Sequence, residues 1–481
     1  MDVTDKITCL QTENEELRKQ LTAVLARVEE LQQRVRELEA QLGQDSHNSN
    51  WPPSRDKGGQ PKQTRSLRQK SQRRPGGQSG HEGKTLELTA TPDQVVIHRP
   101  QRCAHCDHDL SDYAGELTAA RRQVLDVPPL PLLVTEHRVA AIHCPGCQRL
   151  MMASFPAEAL RATQYGPNLK ALSVYLNQHH LLPVARVCQC LNDLLGTCLS
   201  AGSVSRWSEE IGSRVAPLVD TIKTGLRQAQ TLHVDETGLY IGGRRHWLHV
   251  AATQSLTCYQ PHTKRGKQGS DAMEVLPRFQ GCMVHDNWSA YAMYDCRHAL
   301  CNVHHLRELT YLHEEFDLAW AEEFKTLLLA AKAQVAQAKV DGLSHLSCGQ
   351  RTAIDQRYQQ LVDTALALTA PPPQGWPRGK RGRAKKPKAR NLAERLDQQR
   401  RAILAFVDDF QVPFDNNLVE RDIRMVKVQQ KISGCFRSWD GARAACSLRS
   451  YLSTMRKQGC SAFAALRSIF AGSPLLPSLS P

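Results

Sequence analysis

Apolar and polar positions alternate with different periods along the chain, and those periods divide it into segments. Ile7, Asn14, Leu21, Val28, Val35 and Leu42 recur at every seventh position, and Leu10, Leu17, Val24, Leu31 and Leu38 fill the complementary register. A seam of that period is the signature of a helix that supercoils against another helix, so 1–44 is predicted as a leucine-zipper coiled coil. β-Branched residues at some first-core positions and leucine at most second-core positions favour a parallel two-stranded coil, with Asn14 fixing its register. The coil would make a homodimer or a pairing with another protein. A helix packed on its own domain would show the same stripe.

From 45 to 90 the pattern disappears into Asn, Ser, Pro, Gly, Gln and basic residues, which predicts a flexible linker. Within 91–155, strand-like runs surround Val124 and cover 134–139. Helical stripes then occupy 168–180, 184–194 and 203–213, inside a helical domain placed at 160–215. Ser203 as an N-cap would present Ser205 and Arg206 to a DNA groove in the manner of a helix-turn-helix; a plain three-helix packing unit explains the same stripes.

Runs at 230–241, 246–253 and 255–259 read as a three-stranded meander whose clearest turn is Gly242-Gly243. A helical stretch at 271–279, a strand at 281–285 and an apolar piece at 299–303 follow. This order opens a ribonuclease-H-like core, a mixed sheet with helices, placed at 225–310 and 400–440. Helical spacing over 306–340, 352–368 and 392–410 surrounds a Pro-, Gly- and Lys/Arg-rich loop at 370–390, so 311–399 is predicted as a helical insertion. Residues 441–481 form a C-terminal helical element and tail. The fold class expected is multidomain α/β.

The chain has 481 residues, 41% of them hydrophobic, and no stretch approaches the roughly 18 apolar residues of a membrane span. Its N-terminus does not read as a signal peptide, which places it by default in the cytoplasm. A net charge of +14 favours a polyanionic partner. The charge is concentrated in Arg55, Lys57, Lys62, Arg65, Arg68, Lys70, Arg73 and Arg74, and again over 378–390. Each tract reads either as a phosphate-contacting arm or as a solvated linker, and nuclear import is a further reading of composition.

Sixteen cysteines without a secretion signal argue against a disulfide framework. Four are paired, as Cys103-Ala-His-Cys106 and Cys144-Pro-Gly-Cys147. Four thiolates so arranged suit tetrahedral Zn²⁺ in a structural site, with His105, His108 and His143 as alternative ligands and redox pairs as the competing reading.

Three acids occupy separate contexts: Asp235 in Leu-His-Val-Asp-Glu-Thr-Gly, Asp286 in Met-Val-His-Asp-Asn-Trp, and Glu420 in Asp-Asn-Asn-Leu-Val-Glu-Arg. An acid that ends an apolar strand is costly to bury unless it meets a cation. Three converging carboxylates could hold two Mg²⁺ ions about 4 Å apart and clamp an in-line phosphoryl displacement.

Several blocks together resemble the insertion sequence 66 family of bacterial DDE transposases. They are the zipper, the Pro-Gly-Gln-rich linker, the double cysteine knuckle, Asp235-Glu-Thr-Gly, His285-Asp-Asn-Trp-Ser-Ala-Tyr, Cys301-Asn-Val-His-His-Leu-Arg-Glu-Leu, Asp415-Asn-Asn-Leu-Val-Glu-Arg-Asp-Ile-Arg and the run from Lys427 to Ser438. One departure is His47-Asn-Ser-Asn-Trp-Pro-Pro-Ser, where the family often has a serine-rich run. The resemblance implies Asp235, Asp286 and Glu420 as catalytic acids holding two Mg²⁺ or Mn²⁺ ions, cleavage and strand transfer of DNA, and a bacterial, nucleoid-associated protein. The DNA would be the element's ends and the target, and accessory proteins of the same element could assist. Arg421, Arg424, Lys427 and Lys431 recur at helical intervals and would bind phosphates or form a solvated basic face. His304 and Arg307 would contact the scissile region, or His304 would be structural. A zinc-dependent DNA-binding regulator and an inactive relative are the alternative readings.

Overall fold

The computed structural model describes residues 2–44, 86–113, 120–127, 130–156, 159, 161–369 and 386–479. The basic tract with Arg73 and Arg74, and the loop 370–385, lie outside the described residues. The chain divides into two compact units, one of Met1–Lys62 with Glu136–Pro481 and the other of Gln63–Thr135.

In the larger unit the seven-residue seam is carried by a helix, α1 (Val3–Leu42). Leu17, Leu21, Val24, Val28, Leu31, Val35, Leu38 and Leu42 along that seam are exposed. At the end of α1 Ala40 is buried, and its carbonyl accepts a 3.0 Å bond from the Tyr311 hydroxyl.

Strands appear where the chain can pair closely. The runs around Val124 and over 134–139 carry no strand; β1 (Ala141–His143) and β2 (Leu150–Met152) instead pair antiparallel across the second cysteine knuckle. Next come α2 (Pro167–Val174), which continues through a wider π-helical turn at Tyr175–His179, and α3 (Val184–Leu195). Gly196 leaves α3 in the left-handed conformation, and the Asn192 side chain accepts bonds from the Thr197 hydroxyl and the Leu199 amide. That brace moves the next helix start forward. α4 (Ala201–Gln228) is capped by Ser200, whose Oγ accepts the Ser203 amide at 3.2 Å, so Ser203 lies inside the helix rather than at its cap.

α4 also runs well past the expected stripe. Val204, Trp207, Ile211, Val215, Leu218, Ile222 and Leu226 recur at intervals of three and four and are all buried. The strands follow: β3 (Thr231–Ile241), β4 (Arg244–Ala252) and β5 (Thr257–His262). Gly242 and Gly243, with φ of 56° and 75°, supply the two left-handed residues of the β3–β4 hairpin. The predicted helix at 271–279 is instead the short α5 (Lys267–Asp271) and a 3₁₀ turn at Leu276–Arg278. β6 (Cys282–His285) and β7 (Arg297–Leu300) complete a five-stranded sheet of order β5-β4-β3-β6-β7. The β3–β4–β5 half is antiparallel and the β3–β6–β7 half parallel.

A helical body then grows from the sheet: α6 (Asn302–Phe316), α7 (Ala319–Val340), α8 (Cys348–Leu368), α9 (Lys388–Gln398) and the single turns α10 (Arg400–Ile403) and α11 (Ala405–Asp408). The stripe predicted as one helix over 306–340 breaks at Asp317, which is left-handed with φ of 50°, and the stripe over 392–410 forms three pieces. Phe324 and Tyr358 pack edge to face in the common core of this body.

α12 (Asn417–Ile432), α13 (Trp439–Lys457) and α14 (Ala462–Phe470) close the chain. α12 and part of α13 cover the sheet face that carries Leu239 and Ile241. The C-terminal half of α4 covers the opposite face, over Leu232 and Val234. The first half of α4 joins α2, α3, α13 and α14 in a separate all-helical core. A Cβ on Gly212 would stand 2.5 Å from the Ala444 Cβ, so that glycine sets how closely α4 and α13 approach. Among the described residues, no helix is long and apolar enough to cross a membrane.

Candidate active site

β3 alternates its side chains between the two faces of the sheet. Asp235 therefore points to the same side as Leu239 and Ile241, toward α12, and Glu236 to the other. β3 and β6 run parallel with His233 opposite Val284; continuing that register two positions brings Asp235 beside Asp286. Glu420 lies in the first turn of α12.

Asn416, at the start of α12, fastens this helix to the sheet. Its Nδ2 donates to the Val234 carbonyl at 2.9 Å, its Oδ1 meets His233 Nδ1 at 2.8 Å, and its amide donates to Cys301 Sγ at 3.2 Å. The clamp fixes the start of the helix that carries Glu420 against the strand that carries Asp235.

All three acids are half-buried. Burial raises the Asp235 carboxyl well above its usual range, and the charges of Glu236, Asp286 and Glu420 raise it further. Burial also raises Asp286 and Glu420; nearby Arg265 opposes the first shift, while Arg307 and Arg424 oppose the second, and the Asp286 charge adds to it. The structure thus brings the three acids into one electrostatic field. Asp235 Oδ1 accepts the Glu236 amide at 2.7 Å, and Asp286 Oδ1 the Trp288 amide at 3.2 Å. Among the described residues, no lysine or arginine forms an ion pair with any of them.

A fourth acid escaped the sequence reading. The Glu236 side chain is 1% exposed; its Oε1 takes two bonds from Arg265, at 2.9 and 2.7 Å, and its Oε2 takes the Tyr291 hydroxyl at 2.6 Å. Burial and the Asp286 charge still raise its pKa despite those bonds. Arg265 lies over the rings of Trp247 and Trp288, at 5.0 and 4.7 Å. The only signal in the sequence was adjacency: a second acid beside Asp235, which alternation must send to the other face.

The basic residues separate by environment. Arg421, Arg424 and Lys431 are exposed, and Arg307 is half-buried; Arg307 and Arg424 both act on Glu420. Lys427 donates its Nζ to the Gly238 carbonyl at 2.6 Å, so this ammonium ties α12 to β3. Burial lowers its pKa, and the Arg245 charge lowers it further. His304 lies in the first turn of α6, and burial pushes its pKa down to about 4, helped by Arg307 and Arg395. Arg206 is exposed on the first turns of α4, between buried Val204 and Trp207.

The two cysteine knuckles share one local construction. In the smaller unit, the Cys103 amide bonds to the His108 carbonyl and the Asp107 amide to the Cys103 carbonyl, with Asp107 left-handed at φ 58°. In the larger unit, the Cys144 amide bonds to the Arg149 carbonyl and the Gln148 amide to the Cys144 carbonyl, with Gln148 at φ 60°. Backbone amides lower the thiol pKa in both: those of His105 and Cys106 act on Cys103, and those of Cys147 and Gly146 on Cys144. Cys106 and Cys147 are exposed. Each turn favours thiolate, the form that binds metal.

Comparison with known proteins adds two family matches. Residues 4–87 match a family of unknown function (DUF6444), and no curated protein matches the chain. Residues 162–444, more than half of the chain and all of the segments that bear the three acids, match the model of the Transposase IS66 family. The chain belongs to the Transposase IS66 family.

Proposed function

We propose that this transposase cuts and joins DNA strands by a divalent-metal mechanism, with Asp235, Asp286 and Glu420 as the catalytic acids. The observation that carries the reading is the parallel β3–β6 register, which sets Asp235 beside Asp286 under the helix that bears Glu420. Sheet order β5-β4-β3-β6-β7, with one antiparallel and one parallel half, supports a ribonuclease-H-like core.

The donor set fits the ion. Three half-buried carboxylates that repel one another and lack a cationic partner among the described residues offer only oxygen, which suits Mg²⁺ or Mn²⁺. A bound pair of such ions would supply Lewis-acid activation of the attacking oxygen and stabilisation of the leaving one. The chain's own part is positional. β3 carries one carboxylate and the end of β6 leads directly into the second, Asn416 fixes the helix that bears the third, and the Glu236–Arg265–Tyr291 cluster braces the opposite side of β3.

DNA is the expected partner, held through its phosphates by Arg424 and Arg307 beside Glu420, by Arg421 and Lys431 along α12, and by Arg206 on α4. Lys427 supports β3 in this reading and does not touch phosphate. The exposed seam of α1 supports pairing with a second copy of the chain. Each cysteine knuckle, Cys103 with Cys106 and Cys144 with Cys147, would supply thiolate ligands to structural Zn²⁺.

The test is a strand-cleavage assay on labelled DNA that carries the sequences flanking the gene, with Mg²⁺ or chelator, for the unsubstituted chain and Glu420→Gln. Metal-dependent nicking that disappears in the variant is expected. Tight binding without cutting, identical in both chains, would replace the enzyme with a DNA-binding regulator.

A further inference from the structure

Beside the all-oxygen set stands a second cluster of different chemistry. One ligand atom each from Cys301, His304 and Glu420 lie within 4.8 Å of one another. We propose that Cys301, His304 and Glu420 form a binding site for a zinc-class ion, so that Glu420 is shared between an oxygen-only centre and a sulfur- and nitrogen-containing one. The inference extends the proposed centre at Glu420, yet ion binding at this cluster does not depend on cleavage.

The cluster follows from how the chain is built. Cys301 ends the approach from β7 and caps α6, so the spacing from Cys301 to His304 puts both on one side of the first helical turn. Glu420 comes from α12, one turn after Asn416, whose carbonyl accepts the Glu420 amide at 3.3 Å. The Asn416 amide in turn donates to Cys301 Sγ at 3.2 Å. One residue thus sets both the sulfur and the carboxylate, and sulfur ligands to metals commonly accept such amide bonds.

A second observation points to a ligand. His304 Nδ1 is buried and has no hydrogen-bond partner in the described structure. A buried ring nitrogen without a partner is costly, and an ion held also by the Cys301 sulfur and the Glu420 carboxylate would satisfy it. Sulfur, nitrogen and oxygen donors together select Zn²⁺ or Co²⁺ over Mg²⁺, and three protein ligands leave a tetrahedral ion one position for water or a phosphate oxygen. Zn²⁺ bound there draws on Glu420 and so competes with Mg²⁺ for it.

The experiment counts metal on the full chain. The unsubstituted protein, Cys301→Ser, His304→Ala and Glu420→Gln are dialysed against the same zinc buffer, freed of loose ion by gel filtration, and assayed for zinc, with circular dichroism as the folding control. We expect each variant to hold about one ion fewer per chain than the unsubstituted protein while the knuckle zinc remains. Cadmium NMR on the unsubstituted chain avoids any folding defect: the site predicts a resonance well upfield of the all-sulfur one. Equal zinc counts in all four folded chains, or an all-sulfur resonance alone, would overturn the proposal and leave Cys301 and His304 as packing residues. Neither readout needs DNA cleavage, so a failure of the cleavage reading leaves this test intact.

Discussion

Glu420 and Asp422 stand two positions apart on α12 and belong to different parts of the molecule's economy of charge. Asp422 is answered: Lys457 Nζ lies 2.8 Å from its Oδ2, the Thr257 hydroxyl donates at 3.2 Å, and Lys457 also bonds the carbonyls of Thr253 and Leu256. Glu420 faces Asp286 and Asp415 and has no ion-pair partner among the described residues. The same contrast divides β3, where Glu236 is answered by Arg265 and Tyr291 and Asp235 is not. The acids that hold the fold here come with their cations built in, whereas the two proposed for catalysis have no ion-pair partner among the described residues.

The largest effect should come from removing an unanswered acid. Asp235→Asn, Asp286→Asn or Glu420→Gln each should lower strand cleavage by a factor on the order of a thousand, about 4 kcal/mol of barrier. The melting temperature without metal should hold or rise. A variant that cuts normally would remove its acid from the centre.

Asp422→Ala should show the opposite profile. It leaves the Lys457 ammonium, only 17% exposed, without its carboxylate and should cost about 3 kcal/mol of stability in denaturant unfolding. A double variant with Lys457→Met should recover much of the loss. No recovery would mean that Asp422 matters through Thr257 instead.

Mg²⁺ offers a smaller and reversible probe of the same division. An ion that binds only the folded chain stabilises it by about 2.7 kcal/mol at a hundredfold excess over its Kd. Calorimetry should show that gain in the unsubstituted chain and not in Asp235→Asn. An equal gain in both would place the ion elsewhere.

The sequence shows this division only in part. A seam repeating every seven residues suffices to predict the α1 helix, and two adjacent glycines suffice for the β3–β4 hairpin, because both are local. Asp235, at the end of an apolar run, was visible for the same reason. Glu236 has nearly the same local context and a different role, which depends on Arg265 and Tyr291 far along the chain. Lys427 shares the helical spacing of Arg424 and Lys431, and only its bond to the distant Gly238 carbonyl separates it from them. Helix boundaries failed where side chains compete for the backbone. Ser200 and Ser203 are equally good caps, and the Asn192 brace decides between them; Asp317 breaks a stripe with no glycine to announce it.

The smallest expected effect is also the most direct measure of an unanswered charge. Burial and neighbouring carboxylates raise the Asp235 pKa well above its ordinary 3.8, so the folded chain holds its proton more tightly than the unfolded chain. Below pH 3.8 both states are protonated and Asp235 imposes no penalty. As pH climbs from there through the raised value, the unfolded state ionises first and folding stability falls, by about 1.4 kcal/mol for each unit between the two pKa values. Asp235→Asn has no such proton. In chelator the stability of the unsubstituted chain, measured against that variant, should therefore decline as pH rises across this window. With Mg²⁺ the difference should reverse, because the ion binds the deprotonated carboxylates. Parallel curves in chelator would mean that Asp235 is solvated like any surface acid, and the contrast with Glu236 would lose its physical basis.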